Sequence, residues 1–591
     1  MTNSRLRTLT FASIMVCIPL LFLAGAEITL RLTGVGSEYP LFVNASQPGY
    51  LKPNPDLVKR FVHQGSQAPN VSPDTYFFKQ QKPANTLRLV VMGGSTAAGF
   101  PYGRFGSPAG LLQQRVQASY PDRDIEVLSV ALSSVNSYTL RDIADEVAAI
   151  QPDAVLIYAG HNEYLGIMGA GATTGGHMAN LAFLALNEFR LFQVLQRALA
   201  PAQAASAGAD TSSAGRTVMA TLARDRAIAL DSDVYHQGIK QFTDNMTAVL
   251  RTFRQSNIPV LLSTLAANEA DQPPFKSSPT PGLQLPALPS TETIKQAIQQ
   301  FPDSAKLYYM LANTQADSDP DAAHQNYIQA MDRDLLRFRA PSRFNALIKQ
   351  FSQASGVYLV DSAAALRHDS DTRSIGRQHM LEHLHPNERG YFIVAQRFYE
   401  VLEDTGLLPV STNRISQQVA WQQRPLTAID SLYASYKIAA LTSDYPFTDT
   451  PEVFKLPSPQ SQTEAMAVNR YQGEPWITQQ PHLLTLSQRR QQWHNAATVA
   501  NTLATALPFD GKAAHVASQL SLKSERFGEA VYFARRAVAL NASDINPQLT
   551  LAEALYKFGR RTKAIAVLTE AKQQFPGDNR PAYYLQQVSK N

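Results

Sequence analysis

The chain has 591 residues, a formal net charge of +5 and a hydrophobic fraction of 44%. This length accommodates about two to four domains. The basic residues are spread along the chain rather than gathered in a stripe, which argues against a nucleic-acid-binding protein. Cys17 is the only cysteine, so a single chain can hold neither a disulfide framework nor a cysteine metal site.

The first 30 residues are typical of an export signal. Arg5 and Arg7 precede an apolar run over residues 9–26, close to the ~20 residues that span a bilayer. Positive residues before such a run orient the N-terminus towards the cytoplasm, and residues 24–26, Ala-Gly-Ala, are like a signal cleavage site. We expect residues 1–30 to be a signal anchor, which is a transmembrane helix, or a cleaved signal peptide; a buried soluble helix is the alternative.

Either export reading places the bulk of the chain outside the cytoplasm. The expected location is a bacterial-type cell envelope, with one pass through the inner membrane and the remainder on the periplasmic side. If the signal is cleaved, the protein is secreted instead.

Two stretches with different patterns follow. Residues 31–84 are rich in Pro, Asn, Ser and Gln and predict an irregular arm. Residues 85–405 alternate apolar, β-branched runs with helical patterns, which predicts a parallel sheet with helices on both faces. A helical insertion is expected at about 290–335. We expect strands at 88–93, 125–132, 154–159, 258–265 and 357–362.

Polar groups with catalytic chemistry stand at the ends of these runs. Ser95 follows the first strand and the turn Gly93-Gly94, at the edge where open α/β sheets place ligands. Asn162 follows the third strand in Gly-His-Asn-Glu, and Glu382 precedes His385 by three residues near the end of the α/β region. The alternative for Ser95 is a helix cap. Asn162 and His385 could likewise be a turn residue and a surface histidine.

The order Ser, Gly-x-Asn and an acid three residues before His resembles the SGNH branch of the GDSL hydrolases, over roughly residues 87–403. The resemblance implies an SGNH-like three-layer α/β/α fold. It also implies an acyl-serine mechanism in which Ser95 is the nucleophile, His385 the general base and Glu382 the acid that orients it. The implied oxyanion hole consists of the Ser95 and Ser134 N–H groups and the Asn162 side chain.

Three departures from the family pattern accompany this resemblance. Glu382 stands where the family usually has Asp, so a Ser-His dyad is possible if it points away. Ser134 takes the place of a glycine, which a backbone N–H donor tolerates. Gly94 stands where the family name leads one to expect Asp, a residue that the chemistry does not require. His383 is a competing base.

We expect no cofactor and no metal, although zinc is an alternative because three histidines cluster; no cysteine or Glu-x-x-His pair supports it. Four residues are candidates for substrate binding, with structural roles as the alternative: Asn136, Tyr164, Arg337 and Arg339.

The C-terminal part contains a repeat. Ala496, Ala530 and Ala564 are spaced by 34 residues, and the sets Leu503, Ala537, Ala571 and Asp510, Asp544, Asp578 keep that spacing. A period of 34 with small residues at helix contacts is the tetratricopeptide signature, so residues 483–591 resemble a short array that binds a protein partner. Residues 406–482 are a connector without an assigned role.

These features together predict an exported serine ester hydrolase that acts on O-acetyl or lipid esters. Two alternatives remain open. The same machinery can transfer an acyl group to an envelope polysaccharide, which would make the protein an O-acyltransferase. The chain could instead be an envelope scaffold with a vestigial site, which binds partners through its helical repeats.

Overall fold

The structure, a computed structural model, describes residues 2–63, 70–172, 176–206, 219–220 and 226–590. It contains eight described strands: β1 Phe42–Asn44, β2 Tyr50–Pro53, β3 Phe78–Lys79, β4 Thr86–Gly93, β5 Asp124–Ser129, β6 Ala154–Tyr158, β7 Val260–Ser263 and β8 Val357–Val360. The last five form one parallel sheet in the order β5-β4-β6-β7-β8. The parallel sheet expected from the sequence is confirmed.

The central strand β4 is buried along its whole length, which explains its run of apolar residues. One helical layer consists of Pro108–Ser119, Ser362–Asp369 and Glu388–Asp404, and a second of Ser137–Ala149, Asp233–Gln255 and Ser342–Phe351. The three-layer α/β/α fold is therefore confirmed. Two helices follow β6, at Gly176–Asn187 and Arg190–Ser206. Three more lie between β7 and β8, at Thr291–Gln300, Ala305–Gln315 and Pro320–Asp332.

The segment before the sheet is more regular than the sequence predicts. Strands β1, β2 and β3 form a small antiparallel sheet, and the 3₁₀ helix Leu57–Phe61 lies between β2 and β3 in the chain. Arg88 of the central strand is fully buried and donates to the carbonyl of Lys79 at 2.7 Å while it pairs with Glu126 at 2.7 Å. The segment expected to be an irregular arm therefore carries a small sheet, whose strands are too short, at two to four residues, to leave a period in the sequence.

Helices fill the C-terminal part. Four precede the repeats, at Gln417–Gln422, Ala428–Thr442, Gln462–Tyr471 and Trp476–Arg489. The repeats are built from Trp493–Ala506, Gly511–Lys523, Phe527–Leu540, Ile545–Lys557, Arg561–Gln574 and Arg580–Lys590. Ala496, Ala530 and Ala564 are each fully buried, because a small side chain lets paired helices approach closely.

The repeats pack directly on the α/β domain. A Cβ atom on Gly528 would lie 2.2 Å from the carbonyl oxygen of Ala118, so the two helices touch backbone to backbone. Gln114 donates to Glu529 at 3.2 Å, and Arg535 donates to the carbonyl of Pro121 at 2.7 Å. The helical region is therefore a part of the folded unit around the site.

The chain begins with the long helix Thr2–Leu32. Within it, residues Ser13–Leu32 are apolar enough and long enough to cross a membrane, and none of that window is buried. It is the one such helix in the described part of the chain.

Candidate active site

Ser95 lies at the carboxyl end of the central strand, as the first residue of the short helix Ser95–Ala98. The turn before it depends on glycine. Gly93 has a φ of 156°, and a Cβ atom there would lie 2.1 Å from the carbonyl oxygen of Tyr158 on the neighbouring strand. Ser95 therefore lines a cavity at the carboxyl-end edge of the sheet.

The structure brings Ser95, His385 and Glu382 together. The Ser95 hydroxyl lies 2.8 Å from Nε2 of His385, and Nδ1 of the same ring contacts Oε1 of Glu382. A carboxylate on Nδ1 fixes the tautomer that leaves Nε2 unprotonated, so that Nε2 accepts the serine proton. Glu382 also accepts the backbone N–H of His385 at 3.1 Å, and its longer side chain therefore reaches the place of the usual aspartate.

A tight loop holds this histidine. The N–H of Leu381 donates to the carbonyl of His385 at 2.9 Å, and the N–H of Asn387 donates to the carbonyl of His379 at 2.8 Å. The Phe100 ring covers the imidazole, with centroids 4.6 Å apart. Burial lowers the pKa of His385, which keeps the ring neutral and able to act as a base.

A second histidine shares the same carboxylate. Nδ1 of His383 contacts Oε2 of Glu382, and the His383 ring is surrounded by Phe275, Phe338 and Phe447. Burial lowers the pKa of His383 well below its ordinary value. Since the bond between base and nucleophile is made by His385, the structure favours His385 over His383 as the base.

Glu382, His383 and His385 are the group in the described part of the chain that could hold a metal ion, because their ligand atoms lie within 4.8 Å of one another. In the observed arrangement the carboxylate already contacts both imidazoles. His379, the third histidine of the cluster in the sequence, instead pairs with Asp369 at 2.9 Å. The absence of a metal requirement stays a prediction.

The residues expected to form the oxyanion hole lie on the same cavity. Asn162 donates one amide hydrogen to the carbonyl of Val135 at 2.9 Å, which leaves its second amide hydrogen as a donor. Ser134 has a φ of 64°, in the left-handed region that favours glycine. A Cβ atom on Gly94 would lie 2.9 Å from the Asn162 amide nitrogen, so this amide leaves no room for an aspartate at position 94 without a shift.

The cavity has a volume of about 550 Å³ and two contrasting sides. One side, which we name the strand-end wall, is formed by Ser95, Ser134, Asn162 and His385, which lie in the segments that follow strands or precede the last helix of the α/β domain. The other, the helical wall, is formed by four residues of helix Ala428–Thr442 and by Tyr471.

The helical wall comes from the segment that the sequence leaves unassigned. Its four residues on helix Ala428–Thr442 are spaced i, i+4, i+7 and i+8, so they share one face of that helix: Tyr433, Lys437, Ala440 and Leu441. Ile429 and Tyr436 of the same helix share one buried apolar cluster with Val499 of the first repeat helix. The helical wall is therefore joined to the repeats through a common core, and the helical spacing was the only sequence signal that could have indicated it.

The four residues expected to bind substrate are not among those that line the cavity. Asn136 caps helix Ser137–Ala149 by accepting the N–H of Tyr138. Tyr164 is fully buried and stacks between Tyr235 and Phe344.

Both arginines of this set are buried as well. Arg337 donates to the carbonyl of Ile228 at 2.8 Å, and Arg339 pairs with Asp334 at 3.0 Å. The prediction of substrate binding by Asn136, Tyr164, Arg337 and Arg339 is corrected to structural roles, because their polar atoms stabilise backbone and buried carboxylates.

A model of the GDSL-like lipase/acylhydrolase family matches residues 91–393, just over half of the 591 residues, and a tetratricopeptide repeat model matches residues 521–587. No curated protein matches the chain. The helical wall lies between the two matched ranges and belongs to neither.

Three solved structures share low similarity with the chain, each at 12% identity. A proposed acylhydrolase of Bacteroides fragilis has a TM-score of 0.27 and covers 56% of this chain and 91% of its own. A GDSL-like lipase of Bacteroides thetaiotaomicron has a TM-score of 0.25, with 54% and 88% covered. A proposed lipolytic protein of the G-D-S-L family from Desulfitobacterium hafniense has a TM-score of 0.24, with 53% and 99% covered.

Proposed function

Because this chain belongs to the GDSL-like lipase/acylhydrolase family, we propose that it is an exported serine ester hydrolase that cleaves O-acetyl or lipid acyl esters. One observation carries the proposal: the Ser95 hydroxyl lies 2.8 Å from an imidazole whose other nitrogen contacts a buried carboxylate. Serine is a weak nucleophile until a base takes its proton, and this contact supplies the base.

The proposed reaction has two halves. His385 removes the proton of Ser95 as the hydroxyl attacks the ester carbonyl, and the protonated imidazole then gives that proton to the departing alcohol. The acyl group remains on Ser95 until a water molecule, activated by the same imidazole, releases it as the acid. The Ser95 and Ser134 N–H groups and the Asn162 amide stabilise the oxyanion in both halves.

The helix Thr2–Leu32 supports the exported part of the proposal. Arg5 and Arg7 before the apolar segment orient the N-terminus towards the cytoplasm, so that the enzyme lies on the outer side of the cytoplasmic membrane as an anchored or a cleaved protein. An alkaline phosphatase fusion at residue 40 should be active on that side. An inactive phosphatase beside an active cytoplasmic reporter at the same point would reject export.

Hydrolysis of 4-nitrophenyl acetate by the purified full chain tests the reaction. Ser95→Ala should remove the activity, and Ser72→Ala, a serine that lines the same cavity without a histidine partner in the described structure, should retain it. Equal activity in the wild type and Ser95→Ala would reject the hydrolase proposal.

A further inference from the structure

The helical wall places one ammonium group inside the cavity. Lys437 lines it and is half-buried. Its Nζ lies 5.9 Å from the centroid of the Phe100 ring, and the same ring contacts the imidazole of His385, with centroids 4.6 Å apart. The ammonium and the proposed base therefore lie next to the same aromatic side chain.

This ammonium has no anionic partner in the part of the chain that the structure describes. The Lys437 side chain forms no salt bridge or hydrogen bond with any described residue. Burial alone lowers its pKa, without the opposing effect of a nearby carboxylate. Asp74 is the one carboxylate in the described lining of the cavity, and its charged neighbours are Arg104 and Arg470.

A partly desolvated charge without a partner is costly unless a ligand supplies the counter-charge. The helix that carries Lys437 is firmly held, since Asp430 in its first turn pairs with Arg470 at 2.5 Å and Ile429 lies in a buried apolar cluster with Ala467 and Leu483. The ammonium is thus presented to the cavity on a rigid element rather than on a mobile loop.

We propose that Lys437 forms an anion subsite, which binds a carboxylate or phosphate group carried by the alcohol part of the substrate. This inference rests on the proposed hydrolase function and narrows its substrate class to acyl esters of anionic alcohols. A sugar acid and a phosphorylated sugar or lipid headgroup both provide this chemistry.

Matched pairs of acetyl esters test the subsite and separate its two sources. One pair is an O-acetylated sugar acid and its methyl ester; the other is an O-acetylated sugar phosphate and the unphosphorylated sugar. Lys437→Met should lower kcat/KM for the anionic member of one pair by roughly ten- to hundredfold, the range of a hydrogen bond to a charged group. The loss should appear in KM, with kcat nearly unchanged.

Three comparisons make the result specific. Lys437→Arg should restore most of the preference, because it keeps the charge. Lys557→Met removes an exposed lysine of the repeats and should have no effect. Hydrolysis of neutral 4-nitrophenyl acetate should be the same in all variants. Equal losses on charged and neutral esters, or none on either, would overturn the subsite while the hydrolase proposal stands.

Binding gives a readout that does not need turnover. The deacetylated sugar acid or sugar phosphate should bind the wild-type chain more tightly than Lys437→Met in calorimetry. If no ester is hydrolysed in a Ser95-dependent way, the proposed function fails and this comparison alone decides the subsite. Equal affinities for wild type and Lys437→Met would then reject it.

A second inference has an independent basis, the packing beside the apolar helix. Helix Arg190–Ser206 lies against it: Leu191 and Val194 line a groove together with Leu21 and Leu30. The connection is polar at one end, where Glu27 accepts the N–H groups of Arg190 at 3.0 Å and Leu191 at 2.9 Å.

This packing has a consequence for the position of the second helix. Leu21 and Leu30 belong to the segment that is long and apolar enough to cross a membrane, so a helix that packs on them lies at the depth of the bilayer or its interface. Leu195 is 53% exposed and Leu199 is 48% exposed, as expected for side chains that face lipid. We infer that helix Arg190–Ser206 is embedded in the membrane surface beside the anchor.

Fluorophore labelling in vesicles of phosphatidylcholine and phosphatidylglycerol tests this position, and the native cysteine provides the internal reference. A fluorophore on Cys17 should be quenched by nitroxide lipids if the first helix is inserted. A fluorophore on Leu195→Cys or Leu199→Cys, each in a Cys17→Ala chain, should be quenched by them too. Leu288→Cys, 93% exposed, should be quenched by aqueous iodide instead.

The outcomes separate the two claims. Quenching at Cys17 with iodide accessibility at both leucine positions would overturn the embedded helix and keep the anchor. Iodide accessibility at Cys17 would reject the anchor, and the embedded helix with it.

Discussion

The strand-end wall and the helical wall enclose one cavity but are built in different ways. In the strand-end wall, sharp turns after buried strands position Ser95 and Asn162, as at Gly93 before Ser95, and a hydrogen-bonded loop positions His385. In the helical wall, the functional groups share one face of helix Ala428–Thr442, and this helix shares a buried apolar cluster with the first repeat helix. The difference suggests a division of labour, in which the first wall provides the reaction and the second selects the substrate.

The largest effect expected from this division is loss of turnover on changing the strand-end wall. Ser95→Ala and His385→Ala should each lower kcat for 4-nitrophenyl acetate by roughly 10⁴-fold or more, and the double variant should lose little further, because the two residues act as a unit. His482→Ala, an exposed histidine outside the site, is the control. Losses that add in the double variant would contradict the unit.

Asn162→Ala should give the next largest effect. Its amide meets negative charge that develops only in the transition state, so kcat should fall by ~10²–10³ with KM nearly unchanged. Asn70→Ala, an exposed asparagine on the same cavity, should leave kcat unchanged. The bond to Val135 makes a turn role the competing explanation, and a large fall in melting temperature with kcat intact would favour it.

A buried carboxyl next to Asn162 should make the stability depend on pH. Glu163 is fully buried and accepts the N–H of Ser137 at 2.7 Å. Burial raises the pKa of Glu163 from 4.5 to about 7. The folded chain holds this proton more tightly than the unfolded chain, so its contribution to stability is fully present below about pH 4.5 and is lost as pH rises through 7. Glu163→Gln should remove up to about 3 kcal/mol of this pH dependence in denaturant unfolding at pH 4.5 and 7.

Glu553→Gln, an exposed glutamate of the repeats, is the control and should leave the dependence unchanged. If Glu163→Gln changes the free energy of unfolding by the same amount at pH 4.5 and at pH 7, Glu163 is not a buried carboxyl that is protonated in the folded chain.

The smallest effect is expected where the repeats pack on the α/β domain. Gly528→Ala should lower the free energy of unfolding by about 1–3 kcal/mol, since the added methyl meets the carbonyl of Ala118, whereas Ala for Gly usually stabilises a helix. Gly577→Ala, with open space around it, is the matched control. Turnover of the small ester should be retained; equal stabilities for the two variants would show that the backbone contact does not hold this packing.

The sequence predicts the fold and the strand-end groups because both leave local signals. Buried strands read as apolar runs, and Ser95, Asn162 and His385 stand directly beside glycine turns or a short acid-x-x-His motif. The fold then brings these groups together at one edge of the sheet, because the carboxyl ends of parallel strands lie at the same edge.

Other parts leave no such signal. Arg337 and Arg339 are candidates for substrate binding in the sequence because they are charged and lie in the α/β region. Only the structure shows that Arg337 donates to the carbonyl of Ile228 and that Arg339 pairs with Asp334. Lys437 lies 342 residues after Ser95 in a segment without a motif, and only the folded chain brings it to the cavity. The left-handed φ of Ser134 is likewise visible only in the structure.

The most direct test of the central claim is fluorophosphonate labelling of the purified full chain, followed by peptide mass mapping. The account predicts a single adduct on Ser95, lost in Ser95→Ala and formed more slowly in His385→Ala and Asn162→Ala, because the same base and oxyanion donors assist the attack. An adduct that persists in Ser95→Ala, or that maps to Ser72 or Ser133 on the same cavity, would contradict it.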